Sequence, residues 1–174
     1  MKIAITSDTH NNLANLERFL NFTQKEKIET LIHCGDVCND QTLLFIEEKF
    51  LGDIYLSLGN CDLKEEILKA SKRTNIFENF GKIKIEKIKI GFSHQFNFDQ
   101  EKSRLDTFNF FFFGHTHFPS LKKARKCFLV NPGNLAGLFY KATFAVLDTK
   151  TKKLELKILE KIKTKSVNNA LQKF

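Results

Sequence analysis

The chain has 174 residues, of which 42% are hydrophobic, and this content excludes intrinsic disorder and predicts a single domain over residues 1–174. No apolar run approaches the roughly 20 residues that span a bilayer, and the N-terminus lacks the apolar core of a signal peptide. We therefore expect a cytoplasmic protein that does not enter a membrane. The formal net charge of +8 comes mainly from scattered lysines, which favours a solvated surface over dedicated nucleic-acid binding.

The first half of the chain alternates short apolar strands with helical segments. Strands are predicted over residues 2–7, 30–34 and 53–58, and helices over residues 13–26, 42–50 and 62–71. The last helix begins at Asp62-Leu-Lys-Glu65, which has the pattern of a capping box. Alternating strands and helices of this kind predict a largely parallel sheet.

The second half consists mostly of strands. Two are predicted at residues 83–85 and 88–92, where isoleucines alternate with charged residues and the lysines indicate a solvent-facing side. Others are predicted over residues 110–113, 127–130, 142–147 and 154–159, the last two joined by a polar turn. The run Phe110–Phe113 predicts a strand buried on both faces. The polar tail beyond about residue 161 is predicted to be a frayed end or a short terminal helix.

Polar side chains follow five of these strands at the point where each strand ends. They supply two carboxylates, one amide and four of the five histidines: Asp8, His10, Asp36, Asn60, His94, His115 and His117. Because the carboxyl ends of strands form the ligand crevice of an open α/β sheet, we expect these side chains to meet at one edge. The pairs Asp8/His10 and His115/His117 are spaced two residues apart, so in an extended backbone both members point the same way.

These seven side chains are of the types that bind divalent metal ions. Carboxylate, imidazole and amide groups are ligands for divalent ions such as Mn²⁺, Fe²⁺, Zn²⁺ or Ni²⁺. Seven ligands are too many for one ion with an open position and suit two ions about 3.5–4 Å apart with one bridging carboxylate. Two ions beside two aspartates keep positive charge, which attracts a phosphoryl group and lowers the pKa of bound water. The sequence thus predicts in-line attack on a phosphate ester by metal-bound hydroxide, without a covalent protein nucleophile.

Each feature also has a structural interpretation that the sequence leaves open. Carboxylates after strands are typical of turns and helix caps as well, and a lone histidine is more often a hydrogen-bonded core residue. His33 lies inside a strand and is predicted to be structural or to support the site, with a direct role as the alternative. Cys61 and Asp62 have alternative interpretations as a small buried residue and a helix N-cap. The four cysteines show no disulfide spacing and are predicted to be reduced, with a metal shared by Cys34 and Cys38 as the weaker alternative.

The motifs occur in a characteristic order: Asp8-x-His10, Gly35-Asp36, Gly59-Asn60-Cys61-Asp62, His94, Gly114-His115-Thr116-His117 and Asn131-Pro132-Gly133. In order and spacing they resemble the calcineurin-like metallophosphoesterase superfamily, and within it the small YfcE-type prokaryotic phosphodiesterases. The resemblance covers nearly the whole chain. It implies an α/β fold, a four-layer αββα sandwich of two mixed sheets flanked by helices. It also implies turnover of phosphodiesters such as synthetic aryl diesters, two divalent ions with Mn²⁺ favoured over Ni²⁺, Fe²⁺ or Zn²⁺, and a homodimer or homotetramer.

The resemblance further implies a role for each ligand. One ion would be held by Asp8, His10 and His117, the other by Asn60, His94 and His115, with Asp36 bridging, and Asp36, Asn60 and His94 would act in catalysis. Many members carry a histidine where Cys61 stands, so this chain lacks an acid there and favours substrates with good leaving groups. Gln95 replaces the usual glycine after His94, and Asn134 replaces the usual serine after the Asn-Pro-Gly turn. Asn12, Cys61 and Gln95 are the predicted substrate contacts.

The leading hypothesis is therefore a dinuclear metal-dependent phosphodiesterase with a small phosphodiester as substrate. The first alternative is an interaction protein with a vestigial metal site, since the retromer scaffold subunit shares the implied fold. The second alternative is a nuclease or nucleotide hydrolase, which the basic surface suggests and which would use the same metal centre.

Overall fold

The computed structural model describes residues 1–162. Its helices are α1 (Leu13–Lys25), α2 (Asp40–Lys49), α3 (Lys64–Ala70) and the single turn α4 (Phe98–Glu101), with 3₁₀ turns at Leu105–Thr107 and Leu159–Lys161. Its strands are β1 (Lys2–Thr6), β2 (Thr30–His33), β3 (Asp53–Ser57), β4 (Asn75–Phe77), β5 (Phe80–Ile85), β6 (Ile88–Ser93), β7 (Phe110–Phe113), β8 (Ser120–Ala124), β9 (Cys127–Asn131), β10 (Thr143–Asp148) and β11 (Lys153–Ile158). The predicted frayed or helical tail lies, from residue 163 onward, outside the described residues.

The strands form two mixed sheets. The first has the order β11-β10-β1-β2-β3-β4, in which β1 to β4 run parallel and β10 and β11 form an antiparallel edge. The second has the order β5-β6-β7-β9-β8, with a parallel centre of β6, β7 and β9 and an antiparallel strand at each edge. The predicted α/β fold with two mixed sheets is therefore confirmed, as is the parallel sheet of the first half.

Alternation along the strands assigns each face to a layer. In β1, Ile3 and Ile5 pack into a cluster between the two sheets, whereas Ala4 packs on the opposite face with apolar residues of α1, α2 and α3. The outer face of the second sheet carries a third cluster that includes Leu105 of a 3₁₀ turn. The helices on this side are thus one short turn and a 3₁₀ turn, so the fourth layer of the sandwich is thin.

The run of four phenylalanines is the centre of the second sheet. Phe110 and Phe112 lie in the cluster between the sheets, and Phe111 is buried in the outer cluster. The prediction of a strand buried on both faces is therefore confirmed. Because β7 is held between β6 and β9 and packed on both sides, its carboxyl end is a rigid position for the residues that follow.

The structure departs from the sequence-based expectations in two edge strands and one cap. Strands β4 and β8 were not predicted. The predicted capping box at Asp62 is wrong, because the N-cap of α3 is Leu63 and no side chain caps this helix. Asp62 instead binds backbone groups of its own loop and of the loop after β2, as described below.

The surface features agree with the composition. Lys82, Lys84 and Lys89 on the hairpin β5–β6 are exposed, as their alternation predicts. Within residues 1–162, no helix combines the length and the apolar character that a membrane crossing requires.

Candidate metal centre

The seven predicted donors lie in loops at the carboxyl ends of strands from both sheets. Asp8 and His10 follow β1, Asp36 follows β2 and Asn60 follows β3 of the first sheet. From the second sheet, His94 follows β6, and the two histidines His115 and His117 follow β7. The sequence predicted a single edge, whereas the structure brings together the ends of two packed sheets.

One group of donors surrounds the buried carboxylate of Asp8. Its Oδ1 lies 3.3 Å from Nε2 of His117 and 3.9 Å from Nε2 of His10. The two imidazole Nε2 atoms are 3.2 Å apart. These three residues therefore direct one oxygen and two nitrogens at a common point, which is the arrangement of ligands around one cation.

A second group of donors surrounds His94. Its Nε2 lies 2.9 Å from Oδ1 of Asn60 and 3.2 Å from Nδ1 of His115. The other ring nitrogen, Nδ1, donates to the backbone oxygen of Cys34 at 2.8 Å. This bond fixes the tautomer and leaves the Nε2 lone pair facing the donors, as is usual for a metal-ligating histidine.

Asp36 lies between the two groups. Its Oδ2 is 3.7 Å from Nε2 of His10 and 3.4 Å from Nε2 of His94, while Oδ1 accepts a hydrogen bond from the backbone N–H of Cys61 at 2.9 Å. One carboxylate oxygen thus faces one histidine of each group. The Asp36 carboxylate is therefore placed where it can contact cations on both sides.

The backbone at five of the seven donors is left-handed rather than extended. Asp8, His10, Asp36, His115 and His117 all have φ between 43° and 65°. The expectation of an extended backbone at both i, i+2 pairs is therefore wrong, although Asp8 and His10 still meet in one group. The local turns send His115 to the His94 group and His117 to the Asp8 group. Such strain in non-glycine residues persists where the surrounding structure fixes it, and here the fixed loops are those of the candidate site.

Gly114 permits a close approach between the two sheets. A Cβ at this position would lie 1.9 Å from Oγ of Ser7 and 2.7 Å from Oδ2 of Asp8. The backbone N–H of His115 donates to the same Asp8 oxygen at 3.1 Å. Only glycine lets the loop after β7 come this near to the loop after β1.

The electrostatics of the site suit a bound cation. Asp8 Oδ1 is buried and has no hydrogen-bond partner within the described residues, and burial raises the pKa of this carboxyl to about 7. Burial also lowers the pKa of His10 and of His117, which keeps both imidazoles in the neutral, metal-binding form. A divalent ion at this point would neutralise the buried carboxylate, so the donor set fits the metal that the sequence predicts.

Three supporting residues were missed by sequence reasoning. The Asp62 carboxylate accepts hydrogen bonds from backbone N–H groups of Asp36, Cys38 and Gly59 at 3.0, 2.6 and 2.7 Å and so joins the loops after β2 and β3. Asn131 donates to the backbone oxygen of Gly114 at 2.8 Å. Cys38 Sγ lies 3.5 Å from Nδ1 of His10. The Gly-Asn-Cys-Asp and Asn-Pro-Gly motifs contain the first two, but their roles depend on contacts between distant loops.

The three predicted substrate contacts lie in different surroundings. Gln95 is exposed and lines a cavity of about 360 Å³ that Asn60 and His94 also line. Cys61 is exposed, so its interpretation as a small buried residue is wrong, and its Sγ lies within 4.8 Å of ligand atoms of His10 and Asp36.

Asn12 has structural partners instead. It is the N-cap of α1, where its Oδ1 accepts from the Asn15 N–H at 3.1 Å and its Nδ2 donates to the Ala136 oxygen at 2.9 Å. His33 is also held within the protein, by Thr9 Oγ1 at 2.6 Å and the Gly35 N–H at 3.2 Å, and burial lowers its pKa to about 3. Asn12 and His33 thus brace the loops around the centre.

Comparisons with known proteins identify the family of the chain. The family model of the calcineurin-like phosphoesterase superfamily domain matches residues 1–152. The phosphodiesterase MJ0936 of Methanocaldococcus jannaschii is 30% identical over 171 residues, which cover 92% of this chain and 100% of that protein. A solved structure of an archaeal phosphodiesterase superposes with a TM-score of 0.78 and 27% identity, over 91% of this chain and 99% of the other.

More distant structures share the fold alone. The phosphoesterase YfcE of E. coli superposes with a TM-score of 0.67 at 19% identity, over 91% of this chain and 100% of its own. Vps29 of Entamoeba histolytica complexed with Zn²⁺ superposes with a TM-score of 0.66 at 17% identity, over 91% and 99% of the two chains. The family match and the relative that covers almost the whole chain establish that this protein belongs to the calcineurin-like phosphoesterase superfamily.

Proposed function

We propose that the protein is a phosphodiesterase that uses two divalent ions and acts on a small phosphodiester. The observation that carries the proposal is the position of the Asp36 carboxylate between two groups of nitrogen and oxygen donors. Asp8, His10 and His117 would hold one ion, Asn60, His94 and His115 would hold the other, and Asp36 would bridge them. The name of the relative MJ0936, a phosphodiesterase, supports the reaction class.

The chemistry of the donors bears on the choice of metal. Imidazole, carboxylate and amide ligands suit first-row divalent ions such as Mn²⁺, Ni²⁺, Fe²⁺ and Zn²⁺. Among these ions we favour Mn²⁺ because the family resemblance implies it. Bound divalent ions would supply Lewis acidity, lower the pKa of a water ligand and neutralise the charge of a phosphoryl group. The remaining tasks fall to the side chains and loops of the chain.

The protein's own residues position the reaction. The Nδ1–H bond from His94 to Cys34 orients this imidazole, and its contact with Asn60 orients the amide oxygen. The cavity beside these two residues offers room for an ester substituent. Cys61 stands where many members of the family carry a histidine, and a thiol S–H is a weaker hydrogen-bond donor than an imidazolium. We therefore infer that the preferred substrates have leaving groups that depart without protonation, such as phenolates.

The test is hydrolysis of bis(p-nitrophenyl) phosphate by the Mn²⁺-loaded protein and its Asp36→Asn variant. Removing the residues that merely orient metal ligands costs about 10- to 100-fold, so loss of the bridging ligand should cost about 100-fold or more in turnover. Asp53→Asn is the matched control, since Asp53 is an exposed aspartate at the start of β3. Equal turnover by wild type and Asp36→Asn would refute the proposal.

The two alternatives are separated by other measurements. Vps29 shares the fold, so an interaction protein with a vestigial metal site is compatible with this architecture, but the complete donor set argues for an active centre. Substoichiometric metal and no turnover with added Mn²⁺ would favour that alternative.

A nuclease would bind single-stranded nucleic acid with a steep salt dependence, which we do not expect from scattered lysines. Cytoplasmic location and a homodimer or homotetramer stay predictions.

A further inference from the structure

A group of exposed aromatic side chains borders the candidate metal centre on the His117 side. Phe139 is 91% exposed, and its ring centroid lies 6.0 Å from that of the His117 imidazole. Phe118, directly after His117, packs edge-on against Tyr140 at 5.5 Å, and both rings are about half exposed. We call Phe118, Phe139 and Tyr140 the aromatic platform. Large rings side by side in solvent are unusual for a monomer surface and indicate a binding role.

The loop that carries the platform is held firmly in place. The side-chain amide of Asn134 accepts from the Leu138 N–H at 2.8 Å and donates to the Leu138 oxygen at 3.1 Å and to the His117 oxygen at 3.3 Å. Two residues before Leu138 in the same loop, the backbone oxygen of Ala136 accepts hydrogen bonds from the side chains of Asn12 and Asn15. The platform is therefore attached to the same backbone that places His117.

The backbone of Phe139 is strained, and burial of its side chain does not offset the strain. Its φ of 62° lies in the left-handed region, which is rare for a bulky side chain. A phenylalanine that is almost fully exposed gains little from the hydrophobic effect in this protein alone. Strain of this kind next to a candidate active site points to a contact made with a ligand.

We propose that the aromatic platform binds a planar aromatic substituent of the substrate, with Phe139 as the residue that selects for it. This proposal rests on the proposed function, because it assumes that a phosphoryl group is held at the metal centre. His117 connects the two parts, since its Nε2 faces Asp8 while its ring lies against Phe139. The distance of 6.0 Å between the His117 and Phe139 rings lies within the roughly 4.5–7 Å centroid range of aromatic pairs, so we infer that a ring attached directly to a phosphoryl group held there lies beside Phe139.

A macromolecular partner fits the platform less well. A specific protein interface needs roughly 800 Å² and 20–30 residues on each side. The platform and Leu138 together offer only four exposed apolar side chains, and Phe139 lies beside the proposed metal ligand His117. The size and position suit a single ring of a small molecule.

The alternative explanation for the position of Phe139 is that its ring shields His117 from solvent, and the experiment must distinguish the two. Shielding would change the affinity of all anionic ligands alike, whether or not they carry a ring. Ring stacking would change only ligands with a ring. Phenylphosphonate and methylphosphonate provide the required pair, because they share the anionic head group and differ in the ring.

The experiment is calorimetric titration of both phosphonates into protein with excess Mn²⁺, for wild type, Phe139→Ala and Phe139→Trp. We expect wild type to bind phenylphosphonate about 3- to 10-fold more tightly than methylphosphonate. Phe139→Ala should reduce this ratio to within about twofold without changing the Kd of methylphosphonate, and Phe139→Trp should retain it. Leu51→Ala is the control, since Leu51 is another highly exposed apolar residue, 89% exposed, in the loop after α2.

Several results would overturn the proposal. An unchanged ratio in Phe139→Ala, equal loss of affinity for both phosphonates, or failure of wild type to bind phenylphosphonate would each do so. A wild-type dimer that Phe139→Ala converts to a monomer in sedimentation would assign the platform to contacts between copies. Binding is measured without turnover, so a protein that selects the phenyl ring but hydrolyses no diester would contradict the proposed function and leave the platform standing.

Discussion

Asp62 shows how one half-buried carboxylate can join two loops. Its two carboxylate oxygens accept three backbone N–H groups, which belong to the loops that carry Asp36 and Asn60. Those N–H groups point inward and would have no partner without the carboxylate. The residue touches neither proposed ion directly, so we regard it as a positioning residue.

We predict that Asp62→Ala lowers both stability and metal affinity. Leaving a buried N–H group unpaired costs about 1–3 kcal/mol, and three partly buried ones lose their acceptor here, so the free energy of unfolding should fall by about 2 kcal/mol. Loss of a partner that orients ligands should weaken Mn²⁺ binding about 10- to 100-fold. Urea denaturation and Mn²⁺ titration measure the two effects, and Asp62→Asn, which keeps one acceptor oxygen, should fall between. Unchanged Mn²⁺ affinity in Asp62→Ala would show that the loops hold their positions without it.

At the scale of elements, helices and strands could be predicted where apolar residues recur with a regular period, and were missed where no such period exists. Strand β1 and the Phe110–Phe113 run have strong apolar signals and were predicted. Strand β8 reads Ser-Leu-Lys-Lys-Ala and forms an edge with mostly exposed side chains, and β4 has only three residues, so neither shows a periodic pattern. Tertiary pairing with β9 and β3 defines these strands.

The donors of the candidate site could be predicted from the sequence, but the contacts that position them could not. Residue types and strand ends are local features, so the donors could be named from the sequence. The left-handed turns at His115 and His117 could not, because they arise from contacts such as the Asn131 bond to Gly114 and the approach of Gly114 to Ser7. The supporting role of Asp62 likewise depends on the packing of two loops that are distant in sequence.

The connection between α3 and β4 is held to α2 by Glu47. Its carboxylate accepts from the Thr74 hydroxyl at 2.7 Å, from the Ser71 hydroxyl at 3.1 Å and from three consecutive backbone N–H groups at residues 72–74. Burial alone would raise the pKa of this carboxyl, but these hydrogen bonds outweigh it and the pKa lies below its usual value. An ionised carboxylate therefore stabilises the junction between the two helices and the edge strand.

We predict that Glu47→Ala destabilises the protein in a pH-dependent way. At pH 7 the loss should be about 2–4 kcal/mol, since five hydrogen bonds to a buried carboxylate disappear together. Because the folded-state pKa lies below the unfolded value near 4.3, the ionised form contributes fully above that value and the contribution disappears as the pH falls through the folded pKa. Urea denaturation at pH 7 and pH 3 should therefore show a smaller difference from wild type at pH 3. An equal difference at both pH values would contradict an ionised Glu47.

For the whole molecule, the candidate centre is the place where the two sheets are joined by polar groups. The apolar cluster between the sheets holds them over most of their area. At their carboxyl ends, Asp8 and Asp36 of the first sheet face His94 and His117 of the second. Two carboxylates and two imidazoles therefore direct their lone pairs at the same small volume. Cations bound there would link the two sheets and relieve the repulsion between these lone pairs.

We therefore predict that divalent metal stabilises the fold through both sheets at once. Mn²⁺ at about 100 times its Kd should add about 2.7 kcal/mol to the free energy of unfolding. At about 2–4 °C per kcal/mol for a chain of this size, Tm should rise by about 5–11 °C after EDTA-treated protein is given Mn²⁺. Asp36→Asn should lose most of this rise because its carboxylate faces histidines of both groups, whereas Asp53→Asn should keep it. Scanning calorimetry measures the shift, and an equal rise in Asp36→Asn would mean that the stabilising ion lies elsewhere than between the sheets.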